Sequence, residues 1–411
     1  MSRTIQSIQD VVDWGLCIGC GACYSACTKG AVSLVNVESI GIRPKFDSQC
    51  ATCTKCLTIC PGYSVDGNSL TGAEKQSEFD HEFGRALEIW EGFASDPEIR
   101  YHASSGGILS ALALYCLERE KMTSVLHVGM NPEIPWTNHT IQSRNREEIL
   151  SRTGSRYAPS SPCEKLRTVE ESESPCVFIG KPCDVAAVDM LRRQRPELDR
   201  KLGLVLTFFC AGVPSTNGTL ALLNSLDVPI DRIQSVRYRG EGWPGRFKVQ
   251  YGDSTQVKSY SYEESWGRLT GYRSLRCNLC PDGLGRVADI SCGDAWQRYT
   301  DNGDVGRSIV IVRTERGRQI LERARRANYI TLKPLGAREV CVAQRNLLQR
   351  RKEIFGRLLG MRLLFVPIPQ FVGFSLFRSW IRLPVWQKLR SVLGTIRRLV
   401  QRGHWQRRPI F

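Results

Sequence analysis

Eight cysteines fall in two matched runs between Cys17 and Pro61, and no other feature of the sequence limits the fold so strongly. The first run is Cys17-x2-Cys20-x2-Cys23-x3-Cys27. The second is Cys50-x2-Cys53-x2-Cys56-x3-Cys60, closed by Pro61. Three thiolates at this spacing come from one tight loop and a helical turn, so they can converge on one iron–sulfur cubane. The fourth cysteine of each run points away and completes the other cluster. The pattern assigns Cys17, Cys20, Cys23 and Cys60 to one 4Fe–4S cluster, and Cys50, Cys53, Cys56 and Cys27 to a second. A zinc module usually spaces its ligand pairs farther apart. A disulfide framework suits neither the odd total of 17 cysteines nor the lack of a visible secretion signal before them. Thr28 stands where a proline often follows the first run, which bears on the turn and not on ligand supply.

A chain of 411 residues is expected to hold two or three domains of about 150 residues each. Its 42% of apolar residues suffices for a sizeable core. Met1 to Trp14 has no positively charged segment followed by an apolar run, so a cytoplasmic location is expected, where free thiols and oxygen-sensitive clusters persist. A ferredoxin-type module is expected over 1–75, with short strands at Ala31–Val35 and Ile42–Phe46 and a polar linker over Gly67–Glu78.

From 80 to 345, with a first part to 165 and a second from 166, short apolar runs alternate with helical patterns. Strands are expected at Ala86–Ala94, Ser124–Met130, Cys176–Gly180, Gly203–Phe209, Ile233–Tyr238, Phe247–Tyr251, Val287–Ser291 and Ser308–Val312. Helices are expected at Ile108–Arg119, Val185–Gln194, Thr219–Leu226 and Gly317–Ala327. The mixture indicates an α+β chain whose second domain is mixed α/β. No G-x-G-x-x-G follows a strand and no G-x-x-x-x-G-K-[ST] occurs, so a standard dinucleotide fold or P-loop is unsupported.

Two constellations in this domain bear on chemistry. In Ala103-Ser104-Ser105-Gly106-Gly107-Ile108, serines and glycines precede an apolar helix. The segment is either a site for an anion such as a cofactor pyrophosphate or an ordinary serine cap. Cys183, Cys210, Cys277 and Cys280 lie on three loops and could hold a third cluster; the alternative is buried cysteine as a small hydrophobe. That second reading is adopted for Cys116, Cys163, Cys176 and Cys341, and Cys292 is left between the two.

Several segments together resemble the coenzyme F420 hydrogenase/dehydrogenase beta-subunit family. They are Ser104-Ser105-Gly106-Gly107, Gly154-Ser155-Arg156-Tyr157, Gly180-Lys181-Pro182-Cys183, Phe209-Cys210-Ala211-Gly212, Cys277-Asn278-Leu279-Cys280-Pro281-Asp282 and Ala288-Asp289-Ile290-Ser291. The resemblance runs from about residue 15 to 300. It implies FAD bound at Ser104, Ser105, Gly106, Gly107, Ser155, Arg156, Tyr157 and Lys181, and a third cluster on Cys183, Cys210, Cys277 and Cys280. It also implies electron transfer between a hydride carrier, F420-type or nicotinamide, and one-electron carriers. Tyr238-Arg239-Gly240, Gly242-Trp243-Pro244-Gly245 and Gly293-Asp294-Ala295-Trp296 look like a bacterial branch linked with surface-polysaccharide genes.

On this reading a flavin joins two-electron to one-electron chemistry. Lys181 is the candidate catalytic residue: it could stabilise a reduced anionic flavin, bind a phosphate, or be structural. Asp289 and Asp294 are expected to fix loops. The partner is an electron-transfer protein such as ferredoxin or a reductase subunit. The alternative function is an iron–sulfur protein without flavin chemistry.

The carboxyl-terminal segment 346–411 stands apart. From Ile354 to Phe411 there are eleven Arg or Lys and no Asp or Glu, so most of the net charge of +16 resides there. The uncharged run Leu363–Phe377 is broken by Pro367 and Pro369 and is short of the ~20 apolar residues of a spanning helix. A basic amphipathic helix at Val385–Arg402 reads as membrane-surface binding or as a helix packed on its own domain. Nucleic acid is the least favoured partner, since no nucleic-acid module accompanies the charge. As a detachable tail it is expected to be dispensable: a chain ended after Arg345 should keep its clusters and flavin.

Overall fold

Apolar runs of five to seven residues build the centre of the molecule, and more polar strands close its edges. The structure is a computed structural model that describes residues 4–50, 53–68, 77–253, 255–299 and 305–411. The amino-terminal module contributes β1 (Val32–Val37), β2 (Gly41–Phe46) and β3 (Ser64–Asp66). The middle of the chain supplies β4 (Glu88–Ala94), β5 (Val125–Met130), β6 (Asn138–Ser143), β7 (Cys176–Gly180), β8 (Leu202–Phe208), β9 (Ile233–Arg237), β10 (Arg246–Tyr251) and β11 (Gln256–Ser261). β12 (Ile290–Asp294), β13 (Ser308–Val312), β14 (Ile330–Pro334) and β15 (Gln370–Val372) follow.

The main sheet has eight strands in the order β14-β4-β13-β12-β8-β7-β5-β6. β12, β8, β7 and β5 run parallel at its centre, and antiparallel pairings complete both sides. Parallel strands are covered on both faces and therefore read as near-continuous apolar runs, which makes β7 and β8 legible in sequence. β6, β14 and β11 escaped the sequence reading because each is an edge strand, β11 in a separate antiparallel sheet β11-β10-β9. Edge strands carry polar and charged residues that blunt unwanted pairing, which erases the apolar signal. β12 begins three residues later than expected. The carboxylate of Asp282 accepts from the backbone N–H of Gly285 and Arg286, holding that stretch in a turn.

Alternate side chains of the sheet serve opposite faces. Val125, Val177, Leu204 and Leu206 pack with the helices Ile108–Glu118 and Glu315–Arg326. Leu126, Phe178 and Val205 pack on the other face with the helix Pro182–Arg192. That face also receives Val11, Leu16 and Ile59 from the amino-terminal module, and Ile354, Met361, Phe374 and Leu399 from the carboxyl-terminal segment. The three expected units thus share one core. Of the linker expected over Gly67–Glu78, residues 69–76 lie outside the described residues.

The segment 346–411 is no detachable tail. It forms helices Arg345–Leu363, Leu376–Ile381 and Val385–Gln401, and between them β15 pairs in parallel with β3 of the amino-terminal module. Arg351 is buried and bonds the Glu82 carboxylate and the carbonyls of His81, Pro281 and Phe374. Arg407 reaches back to Asp10 and Asp13. The expectation that a chain ended after Arg345 keeps its cofactors is therefore reversed, because truncation would uncover a core face and strip Glu82 of its guanidinium. Such a chain is expected to aggregate on expression. The milder Arg351→Met, which leaves Glu82 buried without a countercharge, is expected to cost about 3–5 kcal/mol in urea denaturation. An unchanged midpoint would show that the contact carries no stability.

Candidate functional site

The two cysteine runs cross in the folded chain as their spacing requires. Burial drives the Cys60 thiol up, and the neighbouring Cys17 and Cys20 thiols add to the effect. Cys56 is pushed up to about 12 by burial and by Cys53, Cys27 and Cys50. Cys60 therefore stands with the first run, and Cys27 with the second. The loop can turn this tightly because Gly19 and Gly21 adopt left-handed backbone, φ +73° and +83°. A Cβ on Gly19 would lie 2.6 Å from the Ile42 carbonyl oxygen. Thiols crowded and buried in this way resist ionisation on their own. A bound metal deprotonates a coordinating thiol outright, so the donor sets fit iron–sulfur clusters.

A third set forms where strands of the main sheet end. Cys183 starts the helix after β7, Cys210 follows β8, and Cys277 and Cys280 come from the short helix Leu275–Asn278 and the turn after it. All four line one small cavity. Burial raises the Cys210 thiol to about 12, and Cys277 and Cys280 contribute. Arginines hold two of the three segments in place. Arg350 donates to the carbonyls of Ala211 and Cys210 at 2.7 and 3.0 Å, and Arg357 to that of Asn278 at 2.7 Å. Buried Arg276 donates to the carbonyl of Pro61, beside Cys60, at 2.8 Å. Ile18, Gly19 and Arg43 of the amino-terminal module also line this cavity, so the third set faces the first.

On its other side the third set borders a second cavity of about 750 Å³, within the range of about 300–1,000 Å³ usual for ligand pockets. It opens at the carboxyl ends of β7, β8 and β12, where open α/β sheets bind ligands. Lys181, Ser160, Cys210, Gly212 and Val213 line both cavities. The helix Ile108–Glu118 points its N-terminus into the larger one. It starts at Gly107 in left-handed backbone, φ +79°, with no side-chain cap, so its first N–H groups are open to an anion. The ordinary serine cap is thereby excluded.

The residues expected to bind FAD do gather here, but most of their polar groups hold the walls together. Ser104, Ser105, Gly107, Ser155, Arg156, Tyr157 and Lys181 all line the cavity. The Ser104 hydroxyl accepts from the Ser155 N–H at 2.6 Å. Ser105 bonds the Ser308 hydroxyl at 2.9 Å and the Arg307 carbonyl at 3.0 Å. Gly106 packs against the sheet: its N–H donates to Ser308, and a Cβ there would lie 2.6 Å from the Gly92 carbonyl oxygen. Arg156 ties Asn138 to the carbonyls of Pro135, Thr137 and Val236. It braces the loop while still lining the cavity.

Lys181 is buried, and its amine donates to Asp184 at 2.7 Å and to the Ser160 hydroxyl at 3.3 Å. Burial opposes its charge, but Asp184 more than offsets this and holds the amine protonated. It is a fixed positive charge between the cavities.

One wall went unrecognised as a unit in the sequence. Arg239 grips Asp294 with two nitrogens at 2.8 and 3.0 Å, and the Trp243 indole N–H donates to the same carboxylate at 2.8 Å. Tyr262 stacks on Trp296 at 5.3 Å, and the Arg239 guanidinium lies over both rings. The available signal was two tryptophan-bearing segments that each begin with glycine, some fifty residues apart, Gly242–Gly245 and Gly293–Trp296. Asp289 accepts from the Val205 N–H within β8 and from the Thr314 hydroxyl after β13, tying the two together.

Comparisons with known proteins match three segments of the chain. In the family described as "Coenzyme F420 hydrogenase/dehydrogenase, beta subunit", the amino-terminal model matches residues 89–167 and the carboxyl-terminal model matches 175–338. A "4Fe-4S dicluster domain" matches 16–65. A subunit of the F420H2 dehydrogenase of Methanosarcina mazei is 23% identical over 77% of this chain and 85% of its own. The beta subunit of the coenzyme F420 hydrogenase of Methanococcus voltae is 24% identical over 70% of this chain and 99% of its own. The coenzyme F420-dependent sulfite reductase of Methanocaldococcus jannaschii is 22% identical over 76% of this chain, which spans only 46% of that protein. In fold, the chain resembles one in the F420-reducing NiFe hydrogenase complex of Methanosarcina barkeri. The TM-score is 0.54 at 22% identity, over 71% of this chain and 95% of that one.

Replacing Cys277 and Cys280 together with serine is expected to remove one cluster's iron and sulfide and to leave the two clusters of the amino-terminal module. Metal analysis of anaerobically purified protein reads this directly. Unchanged iron in the double variant would remove the third set from the list of ligands.

Proposed function

Because the chain belongs to the coenzyme F420 hydrogenase/dehydrogenase beta-subunit family, we propose that it is a flavin-dependent iron–sulfur oxidoreductase. It would take electrons from a hydride carrier, an F420-type deazaflavin or a nicotinamide, and pass them singly to a protein partner. The observation that carries this reading is the continuity of the sites. The large cavity shares Lys181, Cys210 and Gly212 with the third cysteine set, and that set faces Gly19, between Cys17 and Cys20.

FAD, when bound, supplies the exchange between two-electron and one-electron chemistry. The chain's part is to bind, orient and exclude water. The open N-terminus of Ile108–Glu118 suits a pyrophosphate, since its unbonded N–H groups and helix dipole favour negative charge. Tyr157, Tyr262, Trp266 and Trp296 offer ring faces for flat, conjugated ligands. The protonated Lys181 amine, fixed by Asp184, places positive charge where a reduced, anionic ring system would gain from it. No nucleophilic side chain is needed. On the exposed side, the second cysteine run is flanked by the exposed Lys29, Lys45 and Lys55, which suits an acidic partner such as a ferredoxin or a reductase subunit. Arg239, Asp294 and Trp296 have a use as cavity wall and Trp243 supports Asp294, so no sugar substrate is inferred from their motifs.

The test is a visible spectrum of anaerobically purified protein, with flavin assayed after acid release, followed by titration with reduced F420 and separately with NADH. Flavin at about one per chain and bleaching of the cluster absorbance by one of the two carriers is the expected result. Clusters without flavin, and no response to either carrier, would instead favour an iron–sulfur electron carrier lacking flavin chemistry.

A further inference from the structure

The helix Val385–Gln401 is amphipathic in an unusual sense: its small and polar residues face the protein. Ser391 and Thr395 are buried with Leu399. Gly356 and Gly360 of the helix Arg345–Leu363 make room for them. A Cβ on Gly356 would lie 1.9 Å from the Ser391 hydroxyl oxygen, and one on Gly360 2.8 Å from the Val392 carbonyl oxygen. Small residues four apart let two helix backbones approach closely without large apolar side chains between them.

The large apolar residues are left on the outside. Val385, Trp386, Leu389, Leu393 and Val400 are each more than half exposed. Their spacing keeps them within a stripe roughly 100° wide, the width of an apolar face that normally packs on a core. Single exposed apolar residues need no explanation, whereas an aligned set marks a binding surface.

Charge identifies what covers it. Arg390 and Arg397 border the stripe, and no Asp or Glu occurs from Ile354 to Phe411. Glu353 and Glu78 reach this region from elsewhere and are already matched, the first by Arg357 and Arg390, the second by Arg378 and Arg382. Trp, Leu and Val bordered by arginine form the composition of a helix that lies in a membrane interface. No helix among the described residues is long and apolar enough to cross a membrane. We propose that this face seats the protein on an anionic lipid surface, with the helix in the plane of the headgroups. The proposal goes beyond the redox function and does not depend on flavin binding.

The experiment uses the full chain with its clusters, centrifuged with vesicles of phosphatidylcholine alone or mixed with phosphatidylglycerol. The protein is expected to sediment with the mixed vesicles and much more weakly with phosphatidylcholine alone. Leu389→Asp combined with Leu393→Asp is expected to abolish sedimentation with iron content and circular dichroism unchanged, because both side chains are exposed. Arg390→Gln combined with Arg397→Gln should lower partitioning by about fivefold per arginine. Moderate salt should weaken binding only in part, since screening reaches the charges and not the apolar stripe. Wild-type protein left in the supernatant with mixed vesicles, or a double aspartate variant that still sediments, overturns the proposal. Self-association dispersed by the aspartate variant, with no vesicle binding, would assign the stripe to a second copy of the chain and overturns it equally.

Discussion

Twelve thiols drawn from distant parts of the chain have to be held at close quarters, and burial together with neighbouring thiols raises Cys56, Cys60 and Cys210 among them. No short segment can supply that rigidity alone. A small cysteine-rich module has too little apolar surface to order its loops well without its metal. Here the loops are buttressed from outside. Ser161 donates to the Gly19 carbonyl at 2.7 Å, Cys163 donates its N–H to the Cys20 carbonyl, and Arg167 reaches the carbonyls of Ser25 and Cys27. The common core of module, sheet and carboxyl-terminal helices follows from this demand.

Buried arginines answer the same constraint in the second half of the site. Each of Arg276, Arg286, Arg313 and Arg351 is nearly inaccessible and donates to a backbone carbonyl, that of Pro61, His81, Leu284 and His81 respectively. A planar guanidinium with five donors can bind several carbonyls at once, which lysine cannot do. Burial works against the charge of Arg286 and Arg313, lowering both. Their hydrogen bonds are what make the arrangement tolerable. The result is a set of carbonyls at turns and helix ends pinned by side chains, with Arg351 also reaching that of Pro281, next to Cys280.

The legible parts of the fold were those with a local signal. β7, β8 and β13 stand out as short, mostly apolar runs, and the helix Ile108–Glu118 follows a glycine pair. The helix Arg345–Leu363 was hidden because it buries Arg351 and Glu353 and is lined with glycine, so its face toward the protein does not read as apolar. The Ser104–Gly107 loop was legible as a place but not in its workings. Its glycines serve packing and the start of a helix, and its serines hold neighbouring loops. Cys163, set aside in the sequence as a small hydrophobe, lies against Cys20 and draws that thiol down by a hydrogen bond. A contact across more than a hundred residues leaves no mark in spacing.

The sequence by itself determined the ligand chemistry: two cysteine runs whose spacing suits crossed cubanes, and motifs that place the chain in its family. Both are local, since three thiolates of each set come from one loop whose geometry is set by the residues between them. Tertiary structure alone decided how the sites are ordered. That Lys181 and Cys210 border both cavities, that Arg239, Asp294 and Tyr262 form one wall, and that the carboxyl-terminal helices clamp the whole are products of strand order in the sheet. Strand order depends on which apolar faces bury one another, a comparison among distant segments that no single segment encodes.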